Sequence, residues 1–189
     1  MRKATQYKAT QKFKIFKGYI DHFNTISIDN EIPAMLSFFF LQGQISAPYI
    51  RIPWGNTHLD PRIHVFWIQS SRTGKSIAWE FIGDILKDSG VKSDLYTTGT
   101  DAGLIGGYEY EEDDDGNKIT VLKEGMLTGQ KALNFDEGSI ILNPNKHSQE
   151  TVLYLQSACN PIGSNNNMLV KHTKLGRIET ESLVSLWIT

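Results

Sequence analysis

Apolar residues recur along the chain in short blocks, and the spacing inside each block predicts its element. Residues up to about Lys17 are polar and basic and read as a frayed end or a linker. Residues 31–42 follow a capping Asp29 and carry Ile32, Met35, Leu36, Phe39 and Phe40 at helical spacing, with Pro33 tolerated in the first turn. Residues 46–60 are rich in proline, glycine and asparagine and read as loop or short strands, with 49–52 the most strand-like. His64-Val65-Phe66-Trp67-Ile68 is a compact apolar run rich in strand formers, hence a buried strand. After six small and polar residues, Ile77, Ala78, Phe81, Ile82, Ile85 and Leu86 place a helix over 75–87.

The second half continues the alternation. A strand is expected at 93–98 and a short helix at 101–105. Residues 108–112 and 118–122 flank Asp113-Asp114-Asp115-Gly116-Asn117, which predicts a hairpin with a solvated acidic tip. Residues 131–135 form a third core strand ending in Asp136-Glu137, and 147–158 has a helical pattern. A second hairpin is predicted from 168–171 and 177–181 around Lys174-Leu175-Gly176, and 183–189 is a fourth strand. Strands alternating with helices predict an α/β fold with a mainly parallel sheet, helices on both faces and two β-hairpin insertions. The proposed division is an N-terminal helical or loop collar, or linker, at 1–60 and a core at 61–189.

Composition narrows the class. The chain has 189 residues, 40% apolar and 21% charged, as expected of one globular domain. A formal net charge of −2 gives no global basic field, so any nucleic-acid contact has to come from a local patch. Cys159 is the single cysteine, which excludes an internal disulfide and fits a reducing compartment. The basic start is not followed by an apolar signal region, and the run Phe38-Phe39-Phe40-Leu41 is far too short to cross a bilayer. A soluble protein without a membrane partner is expected, in the cytoplasm of a bacterial, archaeal or virus-infected cell.

The candidate chemistry lies in two motifs. Gln69-Ser70-Ser71-Arg72-Thr73-Gly74-Lys75-Ser76 aligns with the phosphate-loop pattern G-x-x-x-x-G-K-[ST], between a predicted strand and a predicted helix. Backbone N–H groups of such a loop and of the helix N-terminus cradle phosphates. Lys75 supplies a point charge to the β and γ phosphates of ATP, Ser76 a hydroxyl to Mg²⁺, and Gly74 lets the backbone come close. Gln69 stands where the pattern has its first glycine. In the second motif, Ala132-Leu133-Asn134-Phe135-Asp136-Glu137, Asp136 at a strand end would hold Mg²⁺ directly or through water, and Glu137 would polarise the attacking water. A chance Gly-Lys-Ser and a solvated Asp-Glu pair are the bland readings. Two motifs in order, each after a strand, favour the chemical one.

From Val65 onward the chain resembles AAA+ ATPases, and within them the minichromosome maintenance helicases and related viral replicative helicases. Leu95-Tyr96-Thr97-Thr98-Gly99-Thr100-Asp101-Ala102-Gly103-Leu104-Ile105 is similar to the segment that in that family precedes an inserted hairpin, here 107–125. Gly125-Met126-Leu127 and Asn134-Phe135-Asp136-Glu137 look like the elements that follow it. Residues 167–178 are similar to the hairpin that contacts DNA in the central pore, with Lys171, His172, Lys174 and Arg177 as its candidate contacts. The resemblance implies ATP and Mg²⁺ as cofactors, DNA as a partner through residues 167–181, and assembly into a hexameric ring. It also implies a strand order with the phosphate-loop strand beside the 183–189 strand and the Asp136-Glu137 strand beyond. The sensor-1 residue is expected at or just past Thr189, and the arginine finger and lid have no sequence to occupy, as in a fragment, a split gene product or a degenerate homologue. Three alternatives stand beside it: a phage terminase-type packaging ATPase, suggested by Arg72; a non-catalytic nucleotide-binding scaffold, suggested by Gln69; and a phosphate-loop kinase.

Overall fold

A computed structural model describes residues 14–26, 31–68, 70, 75–96, 101–139 and 150–189. Helices α1 (Lys14–Ile26) and α2 (Glu31–Ser46) precede a small hairpin, β1 (Ile52–Trp54) and β2 (Thr57–Leu59). Strand β3 (Val65–Phe66) leads to α3 (Lys75–Asp88) and β4 (Lys92–Tyr96). Helix α4 (Asp101–Ile105) runs into an antiparallel ribbon, β5 (Gly106–Glu112) and β6 (Lys118–Glu124). Strand β7 (Gly129–Phe135), α5 (Thr151–Ala158), β8 (Met168–Thr173) and the long β9 (Gly176–Ile188) complete the order.

The central sheet has the order β3-β9-β7-β4, with all three pairings parallel, and β8 pairs antiparallel with the first half of β9. This is an α/β architecture with a mostly parallel sheet, and its strand order is the one the sequence reading expected. Alternation along the strands splits the core in two. Ala132 and Trp187 join Val65, Ala78, Ile82 and Phe40 on the α2–α3 face. Leu133, Phe135, Val184 and Leu186 join Leu104 and Leu155 on the α4–α5 face. Helices therefore cover both faces, as near-continuous apolar strands require.

Three expectations are corrected, and two more fall partly outside the described residues. Residues 14–17 belong to α1, because Phe16, Tyr19 and Phe23 face Phe38 and Phe81 across the helix interfaces. The strand at 64–68 contracts to two residues. Helix α5 begins at Thr151, and residues 147–149 lie outside the described ones, as do 97 and 98 of the expected second strand. The strand at 183–189 is the second half of β9, which runs on from the hairpin without a break.

The shortening of β3 has a side-chain explanation. Beside β9, the positions where more of β3 would pair are taken by Arg62 and His64. Arg62 Nη1 donates to the carbonyls of Ser182 (3.1 Å), Val184 (2.9 Å) and Ala158 (3.0 Å), and Nη2 to that of Asn160 (2.7 Å). His64 Nδ1 accepts the N–H of Leu186 at 3.3 Å. The Arg62 charge is met by Asp60 through Nε at 2.8 Å, with both side chains almost fully buried. Asn167 completes the junction, accepting from Ser182 N–H (3.1 Å) and donating to Asn160 O (2.9 Å). Carbonyls at the end of α5 and along the strand edge, otherwise orphaned, are thus satisfied by two side chains.

Candidate functional site

Strands β3, β9 and β7 finish level with one another. Trp67 N–H donates to Ile188 O (2.8 Å), Thr189 N–H to Phe135 O (2.9 Å), and Gly138 N–H to Thr189 O (2.8 Å). Beyond these carboxyl ends lies a cleft of ≈ 410 Å³ lined by Lys75, Ser76, Asp136, Glu137, Ser139 and Thr189. Its position is the one where open parallel sheets bind ligands. Helix α3 leaves β3 on one face and α5 precedes β9 on the other, so the ends of adjacent strands open onto a crevice.

Lys75 and Ser76 open the first turn of α3, half-buried and exposed respectively. Asp136 and Glu137 follow β7 directly and are both exposed. Ser139 Oγ donates to Glu137 Oε2 at 3.4 Å, and Thr189 Oγ1 to the Asp136 carbonyl at 3.2 Å. The structure therefore brings together, from positions 60 residues apart in sequence, the four side chains that the two motifs singled out: Lys75, Ser76, Asp136 and Glu137. Of the phosphate-loop residues, Ser70 is exposed, whereas Gln69, Ser71, Arg72, Thr73 and Gly74 lie outside the described residues.

An apolar annex of ≈ 240 Å³ continues the cleft past Lys75 toward Phe66, Trp67, Ile68 and Gly138. Gly138 sits close against its neighbours: a Cβ there would lie 3.1 Å from Phe66 Cε2 and 3.2 Å from Ile188 Cγ2. Gly138, Ser139 and the annex were not picked out from sequence. The only available signal was a small-residue pair, Gly138-Ser139, directly after Asp136-Glu137.

The donor set fits a nucleotide with Mg²⁺. Magnesium keeps several waters and takes one or two protein oxygens alongside phosphate, and beside Lys75 the cleft holds the hydroxyls of Ser76, Ser139 and Thr189 and the carboxylates of Asp136 and Glu137. Among the described residues there is no group of three or more His, Cys, Asp or Glu that could hold a metal by itself. Such a cage is not what Mg²⁺ with a nucleotide requires.

The four cations expected to meet DNA are not presented together. Lys171 Nζ turns back to the carbonyl of Gly106 at 3.4 Å. His172 and Arg177 are register partners on the opposite face of the hairpin, and Arg177 is paired with Glu179 at 3.2 Å. Lys174 is at the turn and exposed.

No family model matches this chain, and no curated protein matches it. Among the described residues, no helix is long and apolar enough to cross a membrane.

Proposed function

We propose that this chain is the nucleotide-binding and hydrolysing core of a phosphate-loop ATPase of the AAA+ type, most like the motor of a replicative DNA helicase. The observation that carries the reading is the convergence of Lys75, Ser76, Asp136 and Glu137 in one cleft at the carboxyl ends of parallel strands ordered β3-β9-β7-β4. Lys75 would hold the β and γ phosphates and Ser76 and Asp136 the Mg²⁺. When bound, the ion spreads the charge that builds on the phosphates. Glu137, oriented by Ser139, would hold the attacking water and take its proton. Thr189 would set the water's position from the end of β9. DNA is the track of the motor in this reading, and a ring of copies its working form.

Calorimetric titration with Mg-ATP tests it. The wild-type chain is expected to bind and Lys75→Ala to lose binding. Glu137→Gln is expected to bind normally and to turn over at least about 100-fold more slowly. A folded wild-type chain with no affinity for Mg-ATP overturns the reading. Gln69, in place of the first loop glycine, favours a second reading, a subunit that binds nucleotide without hydrolysing it. Under that reading Glu137→Gln changes neither binding nor the background turnover.

A further inference from the structure

Strands β5 and β6 form a two-stranded sheet of their own. The root of this ribbon is fastened to the β8–β9 hairpin. Lys171, midway along β8, reaches Gly106 O, and the Tyr108 ring lies against Gly176 at the hairpin turn, where an added Cβ would be 3.4 Å from its hydroxyl. The ribbon therefore runs outward alongside the hairpin and passes its turn at Tyr108. The five residues after Tyr108, as far as Asp113, carry it about 15 Å farther.

That projecting end is preformed and acidic. Asp113 accepts the N–H groups of Asn117 (2.8 Å) and Asp115 (3.1 Å), and Lys123 pairs with Glu111. Over 106–124 seven carboxylates stand against two lysines, a formal net of −5 in a chain whose total is −2. The ribbon also exposes Tyr110 (65%) and Ile119 (41%). An isolated two-stranded ribbon is marginal in water, and a rigid one loses little freedom on docking.

The complementary surface is on the same molecule. At the β8–β9 turn Lys174 is exposed and Arg177 shares its charge with Glu179, with Leu175 47% exposed between them. The ribbon meets its own hairpin at Gly106 and Tyr108, and among the described residues no ion pair joins the ribbon's carboxylates to the hairpin's cations. We propose that the acidic end of the β5–β6 ribbon docks on the β8–β9 turn of a second copy of this chain, with Asp114 and Asp115 facing Lys174 and Arg177 and Tyr110 beside Leu175. The contact joins two different patches, so it repeats head to tail and closes into a ring or extends as a filament. A second copy would match both patches at once, whereas DNA would match the basic turn and leave the acidic end of the ribbon unmatched. The inference does not rest on nucleotide chemistry.

Sedimentation velocity of the full chain without nucleotide, over a range of concentration and salt, tests the proposal. The wild type is expected to associate with rising concentration, less so in high salt. Asp114→Lys with Asp115→Lys, and separately Lys174→Glu with Arg177→Glu, should each weaken association about tenfold or more, and an equimolar mixture of the two variants should restore it. All four side chains are exposed, so both variants should keep the wild-type circular dichroism. Carbodiimide coupling of mixed heavy- and light-isotope chains should link Lys174 of one isotope to Asp114 or Asp115 of the other. A wild type that stays monomeric throughout, variants that associate like wild type, couplings confined to single chains, or a mixture that fails to recover would each overturn the proposal. So would a hairpin reversal that weakens oligonucleotide binding and leaves association unchanged.

Discussion

His64 ties acid sensitivity to a single strand edge. Burial, reinforced by the nearby Arg62 charge and partly opposed by Asp60, pushes its pKa down to about 4. The imidazole is thus neutral in the fold, and its Nδ1 lone pair accepts the Leu186 N–H. Unfolded histidine titrates near 6.5, so the unfolded chain takes up a proton that the folded one refuses. The stability linked to His64 is fully present above pH ~6.5 and is lost as pH falls through about 4, roughly 3 kcal/mol in all. His64→Gln keeps an acceptor and cannot titrate. Urea titrations between pH 7 and 4 should show a shallower acid slope for this variant, and an unchanged slope would mean that the protonated ring is tolerated. Asp60 acts at lower pH. Burial alone would raise its pKa, but the bonds and charge of Arg62 and the Ile162 N–H outweigh burial and hold it below the usual carboxylate range.

Elements differ widely in how much of the core depends on them. Helix α2 buries one side, where α1 and α3 lie against it and Phe40 stacks edge-on to Trp187 at 5.3 Å, while Ile32, Met35 and Phe39 stay exposed on the other. The β5–β6 ribbon is the opposite case. Beyond Tyr108 its side chains are largely exposed, and its local bonds close on themselves. Replacing residues 110–120 by a short turn should therefore lower the melting temperature by no more than about 4 °C, the equivalent of roughly 1 kcal/mol. A collapse of the fold on that replacement would show that the ribbon supports the core. Strand β9 lies between these extremes, since its first half is hairpin and its second half is the centre of the sheet.

At the scale of the whole molecule, α1 and α2 share one apolar cluster with α3, β7 and β9. Helices α1 and α2 are therefore packed into the same core as α3 and the sheet, and these elements should unfold together. Phe40→Ala, which empties a fully buried site between α2 and the sheet, should cost about 3–5 kcal/mol. Far-ultraviolet dichroism and tryptophan fluorescence should shift to the same new midpoint. Two separated transitions would instead make the N-terminal helices an independent unit. The same packing steadies the cleft: α3, which carries Lys75 and Ser76, lies beside α2 on one face of the sheet whose ends carry Asp136 and Thr189.

What the sequence determined by itself was local and periodic. The spacing of Ile77, Ala78, Phe81, Ile82, Ile85 and Leu86 specified α3, the Asp-rich turn specified the ribbon, and Lys75, Ser76, Asp136 and Glu137 were legible as candidate site residues because each motif followed an apolar strand-like run. Periodicity reports which face of an element is apolar, and it carries no information about partners distant in sequence. Only the tertiary structure decided that Arg62 and His64 finish the edge of β9 in place of a longer β3, because a side chain becomes a backbone surrogate only when the fold brings it to unpaired carbonyls. Tertiary packing likewise placed Gly138 and Ser139 at the cleft and turned Lys171 away from His172 and Arg177. A strand's pleat and a hairpin's register assign cations to faces, and composition alone records only that they are near one another in the chain.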